Sequence, residues 1–145
     1  MVGSEHVTFP KRGLPLTAMG WEVHPRGLQT LLVRLGDEYP NLPPLYVTEN
    51  GAAYDDVVSE DGAVHDPERT DYIVRHIQAV SDAIADGADV RGYFVWSFLD
   101  NFEWAWGYNK RFGIVRVDYD SQVRTVKDSG LEYARIIAGA LTTAP

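Results

Sequence analysis

The chain has 145 residues, enough for one ordinary domain, and a formal net charge of −8 from 13 Lys and Arg against 21 Asp and Glu. This acidic balance argues against a nucleic-acid backbone or an anionic membrane surface as partner. Cysteine is absent, which excludes disulfides and thiolate metal sites.

Met1-Val2-Gly3-Ser4-Glu5-His6 lacks the apolar core of a signal peptide. No run of about 18 apolar residues occurs anywhere, so the expectation is a soluble, cytoplasmic protein without a membrane partner. Residues 1–20, with three glycines and two prolines, show no periodicity and read as loop. A helix is predicted after His24-Pro25, with Leu28, Leu31, Leu32, Leu35 and Tyr39 on one face, and Pro40 stops it. Residues 45–48 read as a short buried strand that ends on a carboxylate, Glu49, followed by the turn dipeptide Asn50-Gly51. The segment 54–64 is polar, and Asp55, Asp56, Glu60 and Asp61 read as a solvated loop without the alternation of a calcium site.

Asp66-Pro67 is a cap followed by a first-turn proline, a strong helix start. That helix carries Ile73, Ile77, Val80 and Ile84 on one face and ends near Gly87. His76 lies among its Arg and Asp residues and is expected at the surface. Residues 92–96 read as a second buried strand, followed by a loop with carboxylates set between aromatic rings. Residues 111–118 and 123–126 are predicted to form a small hairpin around Asp120-Ser121. A last helix starts near Asp128 and carries Leu131, Ala134, Ile137, Ala138 and Leu141.

Strands alternating with helices imply parallel βαβ units in an α/β protein. Only two core strands are legible, and two parallel strands cannot close a barrel. A complete (β/α)8 barrel typically takes about 250 residues. The expectation is one unit, residues 1–145, forming one end of a larger TIM barrel with no second domain. A carboxylate at the C-terminal tip of a barrel strand occupies the usual place of a catalytic group. His24, His65 and His76 have no metal-ligand spacing, and no phosphate loop or dinucleotide fingerprint is present.

Two segments carry a specific resemblance: Tyr46-Val47-Thr48-Glu49-Asn50-Gly51 and Trp96-Ser97-Phe98-Leu99-Asp100-Asn101-Phe102-Glu103-Trp104. They resemble the two C-terminal signatures of glycoside hydrolase family 1, the β-glucosidase family. The resemblance continues through Gly107-Tyr108-Asn109-Lys110-Arg111-Phe112-Gly113 and the approach segment Met19-Gly20-Trp21-Glu22-Val23-His24-Pro25-Arg26-Gly27-Leu28. It implies an incomplete (β/α)8 barrel consisting of about strands seven and eight with their helices. The implied activity is hydrolysis of terminal non-reducing β-D-glucosyl bonds with retention, which needs two carboxyl groups about 5–5.5 Å apart.

Under this resemblance Glu49 matches the nucleophile, and Glu103 and Trp104 match the pair that grips the sugar hydroxyls. Trp96 matches the platform beneath the ring, and Trp21 a wall on the leaving-group side. The family uses no metal or organic cofactor, and none is expected. The family's acid/base glutamate sits in an Asn-Glu-Pro motif that this chain does not contain. The nucleophile half alone is therefore expected to be inactive without the N-terminal remainder of the barrel as partner.

Two alternatives stand beside the β-glucosidase reading. One is a non-catalytic remnant or sugar-binding module, favoured by the missing acid/base but not by an intact nucleophile motif. The other is a 6-phospho-β-glycosidase, disfavoured because Glu103 would repel a phosphate at the sugar's 6-position.

Overall fold

In the computed structural model, which describes residues 10–143 and side chains to residue 139, helices and strands alternate in the predicted order. The expectations on residues 1–9 and on the Leu141 side chain lie outside the described residues. Helix α1 (Pro25–Glu38) leads to strand β1 (Leu45–Asn50), helix α2 (Pro67–Ala85) and strand β2 (Val90–Val95). A 3-10 turn (Trp104–Trp106), a hairpin of β3 (Val115–Val117) and β4 (Arg124–Val126), and helix α3 (Asp128–Thr143) complete it.

Local chemistry accounts for the boundaries. Pro25 and Pro67 occupy the first turns of α1 and α2, where a missing N–H is not needed. The Tyr39 N–H closes α1 on the Leu35 carbonyl at 3.1 Å, and Pro40 prevents continuation. Asp66 precedes α2 as predicted, yet its carboxylate caps no N–H of that helix. It instead accepts from the Ser129 N–H at 2.8 Å and the Ser129 hydroxyl at 2.6 Å, and pairs with Arg69.

Strands β1 and β2 pair in parallel, and β3 and β4 antiparallel, forming two separate two-stranded sheets. One apolar cluster joins Leu32 of α1 to Val80 and Ala83 of α2 and to Val90, with Leu45, Val47 and Tyr93 packed against it. A second joins Val23, Ala52, Tyr72, Ile73, Ile114 and Val115 beyond the C-terminal ends of the strands. Among the described residues no helix is long and apolar enough to cross a membrane.

Several side chains depart from expectation. His76 is buried rather than at the surface, because it shares the inner face of α2 with Tyr72, Ile73 and Val80. Its ring stacks on Tyr72 at 3.9 Å, and Nδ1 lies 2.7 Å from the Tyr72 carbonyl oxygen, so burial leaves no orphaned polar atom there. Asp56 is not solvated either: its carboxylate is buried between Arg69 and Lys127. Leu31, Tyr39, Ile84, Leu131 and Ile137 are exposed, as are Tyr46 and Phe94 of the strands expected to be buried. Helices α1 and α2 pack on the Leu45, Val47 and Tyr93 face of the β1–β2 sheet and leave Tyr46 and Phe94 exposed, while apolar residues on both faces suit a sheet covered on both sides.

Candidate active site

The strand β1 changes phase just before its end. Leu45 and Val47 are partly buried on the helix side, and Tyr46 is exposed, as period-two alternation requires. Continued alternation would send Glu49 to the helix side as well. The pairing with β2 is instead irregular between Val47 and Asn50, so that Thr48 and Glu49 are both exposed and Asn50 is partly buried. Such an irregularity re-aims side chains at a strand end. Glu49 thereby leaves the apolar layer and lines an open cleft of about 380 Å3. Its carboxylate has no hydrogen-bond or ion-pair partner among the described residues.

Gly51 follows because the backbone of the next strand passes directly against it. A Cβ at position 51 would stand 1.6 Å from the Trp96 carbonyl oxygen. The Trp96 N–H donates to the Asn50 carbonyl at 2.9 Å, which carries the pairing one residue beyond β2. The Trp96–Ser97 peptide is cis. Trp96 is 37% exposed and lines the cleft.

Beyond Trp96, the loop is anchored from below. The Ser97 hydroxyl donates to the Leu99 carbonyl at 2.7 Å, and the Asn101 amide donates to Ser97 Oγ at 2.9 Å. Asp100 has a fully buried carboxylate that accepts from the Gly113 N–H at 3.0 Å, Arg111 at 2.5 Å and Lys127 at 3.0 Å. Above this anchor the Glu103 N–H donates to the Gly107 carbonyl and the Trp106 N–H to the Glu103 carbonyl, both at 2.7 Å. This tight turn, with a positive φ of 38° at Trp104 and 57° at Gly107, presents Glu103 and Trp104 to the cleft. Trp104 is 83% exposed and belongs to neither apolar cluster of this chain.

Trp21 arrives from the segment before α1. Its carbonyl accepts from the Thr17 N–H at 2.9 Å, and its ring lies 6.0 Å from Phe112. Lys110 donates to the Ala18 carbonyl at 2.8 Å and so ties this segment to the loop after Trp104.

All five residues singled out from the sequence, Glu49, Trp96, Glu103, Trp104 and Trp21, line the one cleft. Tyr72, Asn50 and Phe112 complete its wall and were not foreseen. Tyr72 carried no signal beyond an apolar helix position, and Asn50 read only as a turn residue. The chemistry available is two carboxylates that accept hydroxyl hydrogen bonds, an indole donor, and flat apolar faces that suit the C–H surfaces of a sugar ring. Among the described residues, no three His, Asp or Glu side chains converge in a group that could hold a metal ion.

Comparison with known proteins agrees with this geometry. The sequence pattern of glycosyl hydrolase family 1 matches residues 3–140. The chain is 58% identical over 131 residues to beta-glucosidase A of Thermotoga maritima, covering 90% of this chain and 29% of that protein. It is 53% identical over 140 residues to a bifunctional beta-D-glucosidase/beta-D-fucosidase of Bifidobacterium breve, covering 94% and 30%. The crystal structure of a psychrophilic beta-glucosidase from Micrococcus antarcticus superimposes with a TM-score of 0.93 at 68% identity, covering 95% of this chain and 29% of that one. The chain thus spans about three tenths of the length of these relatives. It belongs to glycosyl hydrolase family 1 and corresponds to a C-terminal portion of that family's barrel, about strands seven and eight with their helices.

Proposed function

We propose that this chain supplies the nucleophile half of a retaining β-glucosidase site. The observation that carries the reading is the convergence of Glu49, Glu103 and three tryptophans on one cleft. A carboxylate of Glu49 attacks the anomeric carbon, the glycosidic C–O bond breaks, and a covalent glycosyl-enzyme forms. Glu103 accepts hydrogen bonds from sugar hydroxyls and the Trp104 indole N–H donates one, so that a neutral glycone is favoured over a phosphorylated one. Trp96 lies beneath the ring, and Trp21 borders the leaving group. Protonation of the leaving oxygen belongs to an acid/base glutamate on the remainder of the barrel. The substrate class is a β-glucoside or small oligosaccharide, in keeping with the beta-glucosidases it is similar to.

The test is Glu49→Gln in a complete barrel, meaning this chain joined to barrel strands one to six. Hydrolysis of an aryl β-glucoside should fall by about 10⁴–10⁶ with folding intact, the scale of nucleophile deletions elsewhere. A variant retaining a tenth of the activity would falsify the assignment.

A further inference from the structure

Asn50 is held between two phenols. The Tyr93 hydroxyl donates to Asn50 Oδ1 at 2.7 Å, and the Asn50 amide donates to the Tyr72 hydroxyl at 3.4 Å. Tyr93 comes from β2 and Tyr72 from α2, so the two elements flanking the end of β1 grip one side chain from different directions. Each phenol is itself fixed. The Tyr72 ring stacks on His76, while the Tyr93 ring meets Tyr133 edge-on at 6.5 Å and the Tyr133 hydroxyl donates to the Tyr93 carbonyl at 3.1 Å.

The grip falls at the point where β1 leaves its alternation. Strand residues change face at every step, so whichever residue is bound on the helix side determines which neighbour faces away. Asn50 is bound there. Glu49 is consequently turned to the cleft, where it would otherwise fall in line with Leu45 and Val47. A polar side chain in this layer is tolerated only when bonded, and Asn50 has no other side-chain partner among the described residues.

We infer that Tyr93, with Tyr72, is a positioning residue: by binding Asn50 it holds the phase break that aims Glu49 at the substrate. The inference rests on the reading of Glu49 as nucleophile. Neither phenol takes part in bond making. The Tyr93 phenol is the nearer of the two and its loss should matter more.

The experiment compares Tyr93→Phe and Tyr54→Phe in the complete barrel. Tyr54→Phe removes a partly buried phenol that is hydrogen-bonded to none of Asn50, Tyr72 and Tyr93 and does not line the cleft. The readout is inactivation by 2-deoxy-2-fluoro-β-D-glucosyl fluoride. In this step a Glu49 oxygen bonds to C1 as the C1–F bond breaks, fluoride leaves with the electron pair, and no leaving-group protonation is required. Misplacement of a reacting group by about 1 Å can cost about 10²-fold, so the inactivation rate of folded Tyr93→Phe should fall by about 10- to 100-fold. KM for an aryl glucoside should change little, and Tyr54→Phe should react at the parental rate.

Equal rates in Tyr93→Phe and the parent, or equal losses in both variants, would overturn the inference. If Tyr93→Phe does not fold, Tyr72→Phe takes its place, with slowed labelling supporting the inference and parental labelling overturning it. Glu49→Gln is run alongside. Should that variant still turn over substrate, the nucleophile reading itself has failed, which is a different result from a normal Tyr93→Phe in an enzyme that needs Glu49.

Discussion

Lys127 and Asp100 meet at 3.0 Å with both side chains fully buried, and this pair joins the hairpin to the loop that presents Glu103. It is one link of an alternating chain of charges. Asp66 pairs with Arg69, Arg69 with Asp56, Asp56 with Lys127, Lys127 with Asp100, and Asp100 with Arg111. Three carboxylates and three cations balance, and no buried side-chain nitrogen or oxygen among the described residues is left without a partner. The network therefore ties α2, the 54–64 loop, the hairpin and the loop after β2 into one block beneath the cleft.

Removing one member should be costly because the others remain buried. Burial, followed by the nearby Arg69, holds the Lys127 ammonium below its ordinary pKa, so the site is already demanding on charge. Lys127→Met deprives both Asp56 and Asp100 of a partner. A loss of about 3–5 kcal/mol is expected, as for other broken buried pairs. Urea unfolding of the complete barrel measures it. A loss below about 1 kcal/mol, the range of exposed pairs, would show that the remaining arginines suffice.

Gly51→Ala should perturb the site through sterics alone. The added methyl meets the Trp96 carbonyl oxygen, a backbone atom that cannot swing away. Overpacking of this kind typically costs about 1–3 kcal/mol. Since Trp96 and Glu49 line the same cleft, kcat/KM per folded molecule should fall together with the thermal midpoint. An alanine variant with parental midpoint and kinetics would contradict the close approach.

His65 gives the fold a mild pH dependence. Its ring nitrogens face Asp128 at 2.7 Å and Asp61 at 3.3 Å, linking the start of α3 to the 54–64 loop. Hydrogen bonding to Asp128, then to Asp61, raises its pKa above the ordinary value of 6.5. The folded state therefore binds the proton more tightly than the unfolded chain. Its contribution is fully present below about pH 6.5 and is lost as the pH rises through the higher folded value. His65→Gln should lower the thermal midpoint slightly at pH 5.5 and leave it unchanged at pH 9. A pH-independent difference would assign the effect to packing. His76 has the opposite sign: burial lowers its pKa, so its neutral form favours folding and that advantage is lost in acid.

The 145-residue chain by itself should be inactive and self-associating. Strands β1 and β2 form a sheet of two, so each presents an unpaired edge. Tyr46, Phe94 and Phe98 on the open side are each more than half exposed, and the helices add Leu31 and Leu131. Contiguous apolar surface of this kind favours association. Lack of the acid/base removes a further factor of about 10²–10⁴ in rate. Size exclusion of the isolated chain and an aryl glucoside assay check both halves. A monodisperse monomer that turns over substrate would contradict them.

Much of this protein was legible in its sequence because the signals are local. Helix periodicity, prolines at first turns and the Asp120-Ser121 hairpin depend on neighbours within a few residues, and the elements fall within a few positions of expectation. Four residues of the cleft were legible because their motifs are contiguous: Glu49 lies at the end of one strand, and Trp96, Glu103 and Trp104 follow another. Asp56 and His76 were not. Whether a carboxylate in an acidic loop meets water or two buried cations depends on Arg69 and Lys127, 13 and 71 residues away. The face of Glu49 was likewise undetermined, since period-two alternation directs it to the helices. Only the pairing of β1 with β2, and the phenols that hold Asn50, turn it to the cleft. Sequence determined which chemical groups are present at the strand ends; the direction in which they point was decided by tertiary contacts that no local rule contains.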